Sequence, residues 1–465
     1  MKGRFERSIA SVVKSGRSPQ VAQFLPLLWI LQLSWLVLFN HLGSTGLLDE
    51  TEPLFAEAAR QMQVTGDWIT PYFNGATRFD KPPLIYWLMA IAYETIGVNE
   101  WAARLPSAIS GTLLISFCFY TLRFFEHRFK PHTGHLKILP FLGSGIFALN
   151  LQTLFFGRLG YSDMLLSLCF GGALLSFFLG YAQPENPKIQ TRFYLALYGF
   201  LALAVLTKGP VGVVLPGAIV LIFLVCVGKL REVLREIKLV PGILVFGVLS
   251  VPWYVLAYSR NGESFTNSFF GYHNLERFTN VVNQHQGAWY FHILIVLVGF
   301  FPWSIYLPAA IAHSLKPRLW RQSPRSSHLG LFVLIWFAVV LGFFTIAVTK
   351  YITYTLPLVP AAAILVALWW SEQQDAPKSK WGLKLSVYVS LGLGMTLAAV
   401  TLYSPHWLNG DPSMPQLGLQ MQEAGLPQIG FLIWLSGAIA GTFLIFGRTM
   451  RWFWAVNLVT YAAFM

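Results

Sequence analysis

The stretch DETEPLF, residues 49–55, sets Asp49, Glu50 and Glu52 almost side by side, and Glu57 follows shortly after. A further acid, Asp163, stands alone in GRLGYSDMLL, at the start of a long apolar run. Three cations stand at similar boundaries: Lys81 beside Asp80 in RFDKPP, Arg277 in GYHNLERF, and Lys350 in TKYITYTLPLVP. A carboxylate at the end of an apolar segment faces a cavity or a partner more often than lipid. It can take a proton from an incoming nucleophile. Each residue also has a blander role. Glu50 and Glu57 suit the positive end of a helix, Asp163 suits a helix cap, and a single boundary lysine is ordinarily an anchor whose charge reaches the interface. Three cations beside a patch of acids point instead to a site for an anionic headgroup. His273 and Glu276 have i, i+3 spacing and could bind a divalent ion. A histidine at such a boundary is more often a hydrogen-bonding residue, so no obligatory metal is expected.

The elements that must position these residues are membrane helices. The chain has 465 residues, of which 55% are hydrophobic and only 11% charged, where a soluble domain carries about 25% charged residues. The net charge of +13 does not mark a nucleic-acid binder, because the basic residues lie in short clusters between apolar stretches and form no continuous basic face. Cys118, Cys169 and Cys226 sit in apolar runs without metal-ligand or CxxC spacing and read as small packing residues. A helix crossing the hydrocarbon needs about 20 apolar residues. Candidate spans are 21–42, 103–125, 138–156, 163–182, 193–207, 210–227, 239–258, 288–312, 329–347, 354–371, 383–403 and 428–446. A thirteenth begins near 453 and is too short to cross before the sequence ends, so the natural chain is expected to continue. The first stretch is too long for a signal-peptide core and reads as a retained span. TKGP at 207–210 separates two helices by a tight turn.

Orientation follows from lysine and arginine. With the N-terminus inside, the inner segments hold 24 of the 33 basic residues. Eight of the 20 acids fall in one outer segment, 43–102. Within it a helix is expected from Glu52 onward, with Pro53 in its first turn. An apolar segment at 82–97 follows a loop rich in turn residues. Leu54, Ala58 and Met62 share one face of the first helix, and both helices are expected to lie along the membrane surface by their apolar faces and to frame a lipid entrance.

The motifs DETEPLFAEAARQM, TGDWITPYFNG, RFDKPPLIYWL and GVNEWAARLPS, continued by YSDM, LTKGPVG, YHNLERF, GFFPWS and KYITYTLPLVP, resemble in order and spacing the GT-C type membrane glycosyltransferases. The nearest group is the aminoarabinose–lipid A transferases and their protein O-mannosyltransferase relatives. The resemblance covers residues 45 to about 360, and the remainder by hydropathy alone. It implies an all-α polytopic bundle of about 12–13 transmembrane helices, with amphipathic surface helices in the first outer loop. It implies one transferase domain over 1–465, without the soluble C-terminal domain that relatives often carry. It implies a monomer in the plasma (inner) membrane, N-terminus cytoplasmic, with its site on the outer side. There it moves a sugar from a polyprenyl phosphate to a lipid, protein or glycan acceptor of the cell envelope. By position Asp49 and Asp163 are the essential acids, Lys81 contacts the lipid phosphate, and Asp80, His273, Arg277, Lys350 and Tyr354 shape the same site.

The sequence departs from the family at one point. Counting back from Phe55, the family's Asp-Glu pair falls on Thr51-Glu52, while the Asp-Glu present is Asp49-Glu50, two residues upstream. Asp49 is the preferred base and Glu52 the fallback. Phe55 also stands where a tyrosine is common. No Walker-type loop or GxGxxG motif is present, which agrees with a donor that is not a nucleotide. The competing class is a transporter or lipid flippase, which predicts inverted repeats and charges near mid-membrane. The sequence shows no internal repeat, and its notable charges lie at one face.

Overall fold

The structure, a computed structural model, describes residues 19–48, 50–129, 138–276, 286–316, 324–375, 381–408, 415–447 and 449–465. Asp49 and Arg277 lie outside the described residues. Among those described, eight helices are long and apolar enough to cross a membrane: Glu100–Arg128, Ser162–Tyr181, Pro187–Lys208, Leu239–His273, Arg325–Ile346, Ile352–Gln373, Trp381–Leu408 and Leu426–Phe446. The apolar pair Phe291–Gly299 and Trp303–Ser314 is bent by 112° at its break, the geometry of a broken span or a re-entrant loop. Shorter apolar helices cover Phe24–Phe39, Leu84–Ile96, Leu139–Ala148 and Val211–Cys226.

Each apolar stretch of the sequence thus has its helix, and the differences are local. The stretch 138–156 is not one rod. Asn150 interrupts it: its side chain accepts from the Thr153 N–H at 3.0 Å and donates to the Phe147 carbonyl at 2.6 Å. One residue therefore ends Leu139–Ala148 and caps Leu151–Phe156. The stretch 288–312 breaks at Phe300–Pro302, where proline removes a helical donor. Gly209, at φ 85°, makes the turn after Lys208 in a conformation that favours glycine.

The helix Ser162–Tyr181 lies at the centre, buried at every position. Its neighbour Pro187–Lys208 approaches closely. A Cβ on Gly180 would stand 2.9 Å from the Tyr194 ring, and one on Gly172 would meet Phe200 at the same distance. Five residues join the two helices, so they run antiparallel. The C-terminal end of the central helix meets a polar cluster. Tyr181 bonds His328 at 2.8 Å, and Arg325 pairs with Glu236 at 2.8 Å and with Glu232 at 2.5 Å. Glu232 and Glu236 belong to a short helix, Leu230–Glu236. The opposite end of the bundle carries Asp163, Lys208 and Tyr354.

On that end rest the two short helices of the first long loop, Thr51–Thr65 and Leu84–Ile96. They pack on one another and on the central pair through Phe55, Tyr86, Met89, Leu165, Leu166 and Ala204. Between them lies a small hairpin, Tyr72–Phe73 with Ala76–Thr77. Its Asn74-Gly75 turn has positive φ at both residues, the conformation a two-residue hairpin favours. The loop is pinned to the helix Leu239–Thr266. Trp253 donates to the Ile69 carbonyl at 3.0 Å, Asn261 to Thr70 at 3.1 Å, and Arg260 pairs with Asp67 at 2.9 Å.

Candidate active site

Asp163 occupies the first turn of the central helix and Lys208 the last position of its antiparallel neighbour. An acid at a helix N-terminus and a cation at a C-terminus are both favoured by the helix dipole. The Lys208 ammonium meets Asp163 Oδ1 at 2.5 Å, with 14% and 10% of the two side chains exposed. Beyond the carboxylate, the ammonium lies 5.7 Å from the centre of the Tyr354 ring, within cation–π range. The Thr353 hydroxyl lies beside Asp163.

The second half of the site comes from the loop before Leu84–Ile96. Pro82 and Pro83 fix the backbone where the helix begins. Asp80 accepts from Arg78 at 2.7 Å and from the Tyr86 hydroxyl at 3.0 Å. The Lys81 ammonium donates to the Asp80 carbonyl at 2.9 Å and stands 3.6 Å from its carboxylate. Burial pushes the Asp80 carboxyl up. Lys81 and Arg78, aided by His273, outweigh burial and hold it below the usual carboxylate range.

The two halves face one cavity of about 520 Å³. Its polar lining is Asp80, Lys81, Lys208, His273, Thr353 and Tyr354, and its apolar lining includes Leu166, Val211, Val214, Phe270, Phe343 and Phe344. Asp163 lies behind Lys208 and Thr353. The arrangement offers two ammonium groups and a greasy wall in one chamber, with the Asp163 carboxylate behind one of the ammonium groups.

Sequence reasoning thus brought Asp163, Lys81, Asp80, His273 and Tyr354 to one place. Lys208 is not among the candidate site residues read from the sequence, where it stands in the TKGP turn. The available signal was a lysine ending a long apolar helix in LTKGPVG.

Two other residues lie elsewhere. The Lys350 ammonium does not line the cavity: it bonds the carbonyls of Thr345 at 2.6 Å, Ala347 at 2.7 Å and Phe344 at 3.3 Å, closing the end of the helix Leu329–Ile346. Glu52, the fallback base, is fully buried. Its Oε1 accepts from Arg104 at 2.8 Å and from the Gly160 N–H at 2.7 Å. Its Oε2 accepts from Arg104 at 2.9 Å and the Leu48 N–H at 2.7 Å. All four acceptor positions are used, so this carboxylate has no capacity left for a substrate proton. It braces the loop before Thr51–Thr65 against the turn that leads into Asp163. Among the described residues no group of three or more His, Cys, Asp or Glu is disposed to hold a metal ion.

Residues 80–255 match the family described as dolichyl-phosphate-mannose-protein mannosyltransferase. The undecaprenyl phosphate-alpha-4-amino-4-deoxy-L-arabinose arabinosyl transferase 1 of Proteus mirabilis is 27% identical over 427 residues, covering 90% of this chain and 72% of that protein. An arabinosyl transferase of Shewanella sediminis with the same donor in its name is 32% identical over 328 residues, 70% of this chain and 56% of its own. In three dimensions the chain is similar to ArnT from Cupriavidus metallidurans, solved bound to undecaprenyl phosphate. The TM-score is 0.76 at 23% identity, over 94% of this chain and 76% of that one. At this level of identity the structural likeness speaks for the fold.

Proposed function

We propose that this chain, a GT-C type membrane glycosyltransferase that uses a lipid-phosphate-linked sugar, takes its sugar from undecaprenyl phosphate or a similar polyprenyl phosphate and transfers it to an acceptor at the outer face of the plasma (inner) membrane. The observation that carries this reading is one chamber lined by Lys81, by Lys208 with Asp163 paired behind it, and by an apolar wall. The cations suit a lipid phosphate, and Val211, Val214, Phe343 and Phe344 suit the first isoprene units. The relatives named for undecaprenyl-phosphate donors support the choice of carrier.

The reaction follows from these parts. A nucleophilic group of the acceptor attacks the anomeric carbon from the face opposite the phosphate. The bond from that carbon to the phosphate oxygen breaks, and the lipid monophosphate leaves with the electron pair. Lys81 and Lys208 stabilise the charge that grows on it, with Arg277 assigned to the same phosphate from its motif. The acceptor's proton goes to Asp49, the base assigned from its motif, an effect worth roughly 10²–10⁴-fold. Asp163 pairs with Lys208 and keeps its ammonium at the cavity wall. The anomeric configuration inverts, and no nucleotide or obligatory metal takes part.

The outer location rests on charge. The segments assigned to the inner side by sequence hold 24 of the 33 basic residues, and basic residues favour the cytoplasmic side. The N-terminus is then cytoplasmic. At the end away from the cavity Arg325 pairs with Glu232 and Glu236, while the charges that line the chamber lie at the other end, an arrangement that favours a one-sided enzyme chamber over a transport path. The test gives purified enzyme a panel of polyprenyl-phosphate sugars with lipid, glycan and peptide acceptors, and detects the released lipid phosphate by mass spectrometry. Release with inversion on one donor supports the reading. Movement of intact donor across vesicles without release would point to the flippase.

A further inference from the structure

His292 belongs to no motif singled out above. It lies in the first turn of the helix Phe291–Gly299 and is completely buried. One edge of its ring meets the backbone: Nε2 lies 3.3 Å from the Tyr351 carbonyl. A carbonyl can only accept, so Nε2 is the nitrogen that carries the proton in this bond. The face of the ring stacks behind Tyr354, with centroids 6.1 Å apart and planes 24° from parallel. Phe344 completes the group, 4.6 Å from Tyr354 and 6.2 Å from His292. The rest of the segment Ile352–Leu358 is anchored independently, by Gln152 on Thr355 at 2.6 Å and by Trp336 on the Pro357 carbonyl at 2.9 Å. His292 secures the end that carries the tyrosine.

Tyr354 in turn presents its ring to the Lys208 ammonium, which is paired with Asp163. We propose that His292 is a positioning residue for the transferase: it fixes the Tyr354 face against Lys208, and so sets where the Lys208 charge stands in the cavity. The inference rests on reading this cavity as the lipid-phosphate site. The ring could drift if its backing were lost. An ammonium that follows it would leave its place against the phosphate. Aromatic pairs of this kind are worth a few-fold to about tenfold in an equilibrium constant.

The experiment measures binding of undecaprenyl phosphate to the full-length protein in detergent, by thermal shift titration, together with unfolding temperature in the absence of lipid. His292→Ala should weaken binding about threefold to tenfold. His292→Phe keeps the stacking ring and should bind within about twofold of the parent. His292→Leu fills the space without a ring, and should bind as weakly as His292→Ala. It gives the same reading if the alanine variant does not fold. The double variant His292→Ala/Tyr354→Ala should bind no more weakly than Tyr354→Ala alone, because both act through one ring. Unchanged affinity in His292→Leu, equal losses in the phenylalanine and leucine variants, or additive losses in the double variant would each overturn the proposal. If Tyr354→Ala and Lys208→Gln themselves bind normally, the phosphate-site reading fails and this inference falls with it.

Discussion

Asp163 and Lys208 stand 45 positions apart in sequence and meet at 2.5 Å, where the first turn of one helix lies beside the last turn of its antiparallel neighbour. The geometry follows from the short connection after Tyr181. It returns the chain along the same axis, so the acid that opens one helix faces the cation that closes the next. Both side chains are largely buried, which makes the pair unequal to a surface salt bridge. Removing either partner would leave the other charge uncompensated out of water.

Lys208→Gln should therefore do two things. It removes a cation from the cavity, and it leaves the Asp163 carboxylate buried without its counter-ion. Breaking a buried pair from one side costs about 3–5 kcal/mol, so the variant should unfold earlier and transfer little sugar. Asp163→Asn/Lys208→Gln replaces both charges by neutral polar groups and should recover much of the stability without recovering transfer. Unfolding in detergent and a transfer assay on the folded fraction separate the two effects. Wild-type transfer by Lys208→Gln would remove the lysine from the mechanism.

Glu52 should behave unlike a base. With two bonds from Arg104 and two from backbone N–H groups, it joins three segments of chain. Glu52→Ala and Arg104→Ala should each lower stability by about 3–5 kcal/mol, since each leaves the other charge buried and unpaired. Poor yield of folded protein is the expected signature. A variant of Glu52 that folds with parental stability and is inert would restore it as the catalytic acid.

Asp80 gives a pH-dependent signature. Its folded pKa lies below the unfolded value, through Lys81 and Arg78. The stability it contributes is then present above the unfolded carboxyl pKa of about 4, and is lost as pH falls from there through the folded value. Asp80→Asn should reduce stability at neutral pH by about 1–3 kcal/mol and flatten this part of the acid limb. Unfolding temperatures measured from pH 7 down to pH 3 check the sign. A parental acid limb in Asp80→Asn would place the titrating group elsewhere.

Much of this was legible from apolar length and the spacing of charge. The stretch at 163–182 reads as a helix from its run of apolar residues, and Asp163 stands out because an acid at such an end needs a reason. What the sequence hid were side-chain destinations. Lys350 and Lys81 look alike on paper, each a boundary lysine near a proline-containing turn. One folds back onto three carbonyls at a helix end, while the other borders the cavity. Glu52 and Glu57 are equally matched by spacing. Only the long-range approach of Arg104, 52 positions away, distinguishes the buried one. The break at Asn150 was hidden for a related reason. A single polar residue among apolar ones is tolerated within a span, and its capping role appears only when both neighbouring turns are seen.

Lys81 is where the donor's phosphate should be felt most directly. Its backbone is confined by Pro82 and Pro83, and its ammonium is drawn toward the Asp80 carbonyl and carboxylate. Asp80 is in turn held by Arg78 and Tyr86, so the lysine is carried on a rigid support at the cavity edge. A phosphate entering the chamber can take over the ammonium without moving the backbone, and Asp80 keeps its other two partners when that happens. Lys81→Ala should therefore raise the donor KM and lower kcat/KM by about 10–100-fold, the loss of one charge-assisted bond of roughly 1.5–3 kcal/mol. The unfolding temperature should change little, because the main supports of Asp80 remain. Lys81→Arg should rescue only in part, since a planar fork does not reproduce a compact point charge against the same oxygens. The measurement is initial rate against titrated polyprenyl-phosphate donor, with each variant first shown to be folded. A normal donor KM in Lys81→Ala would leave this lysine an interface anchor, and the phosphate would have to be held by Lys208 without it.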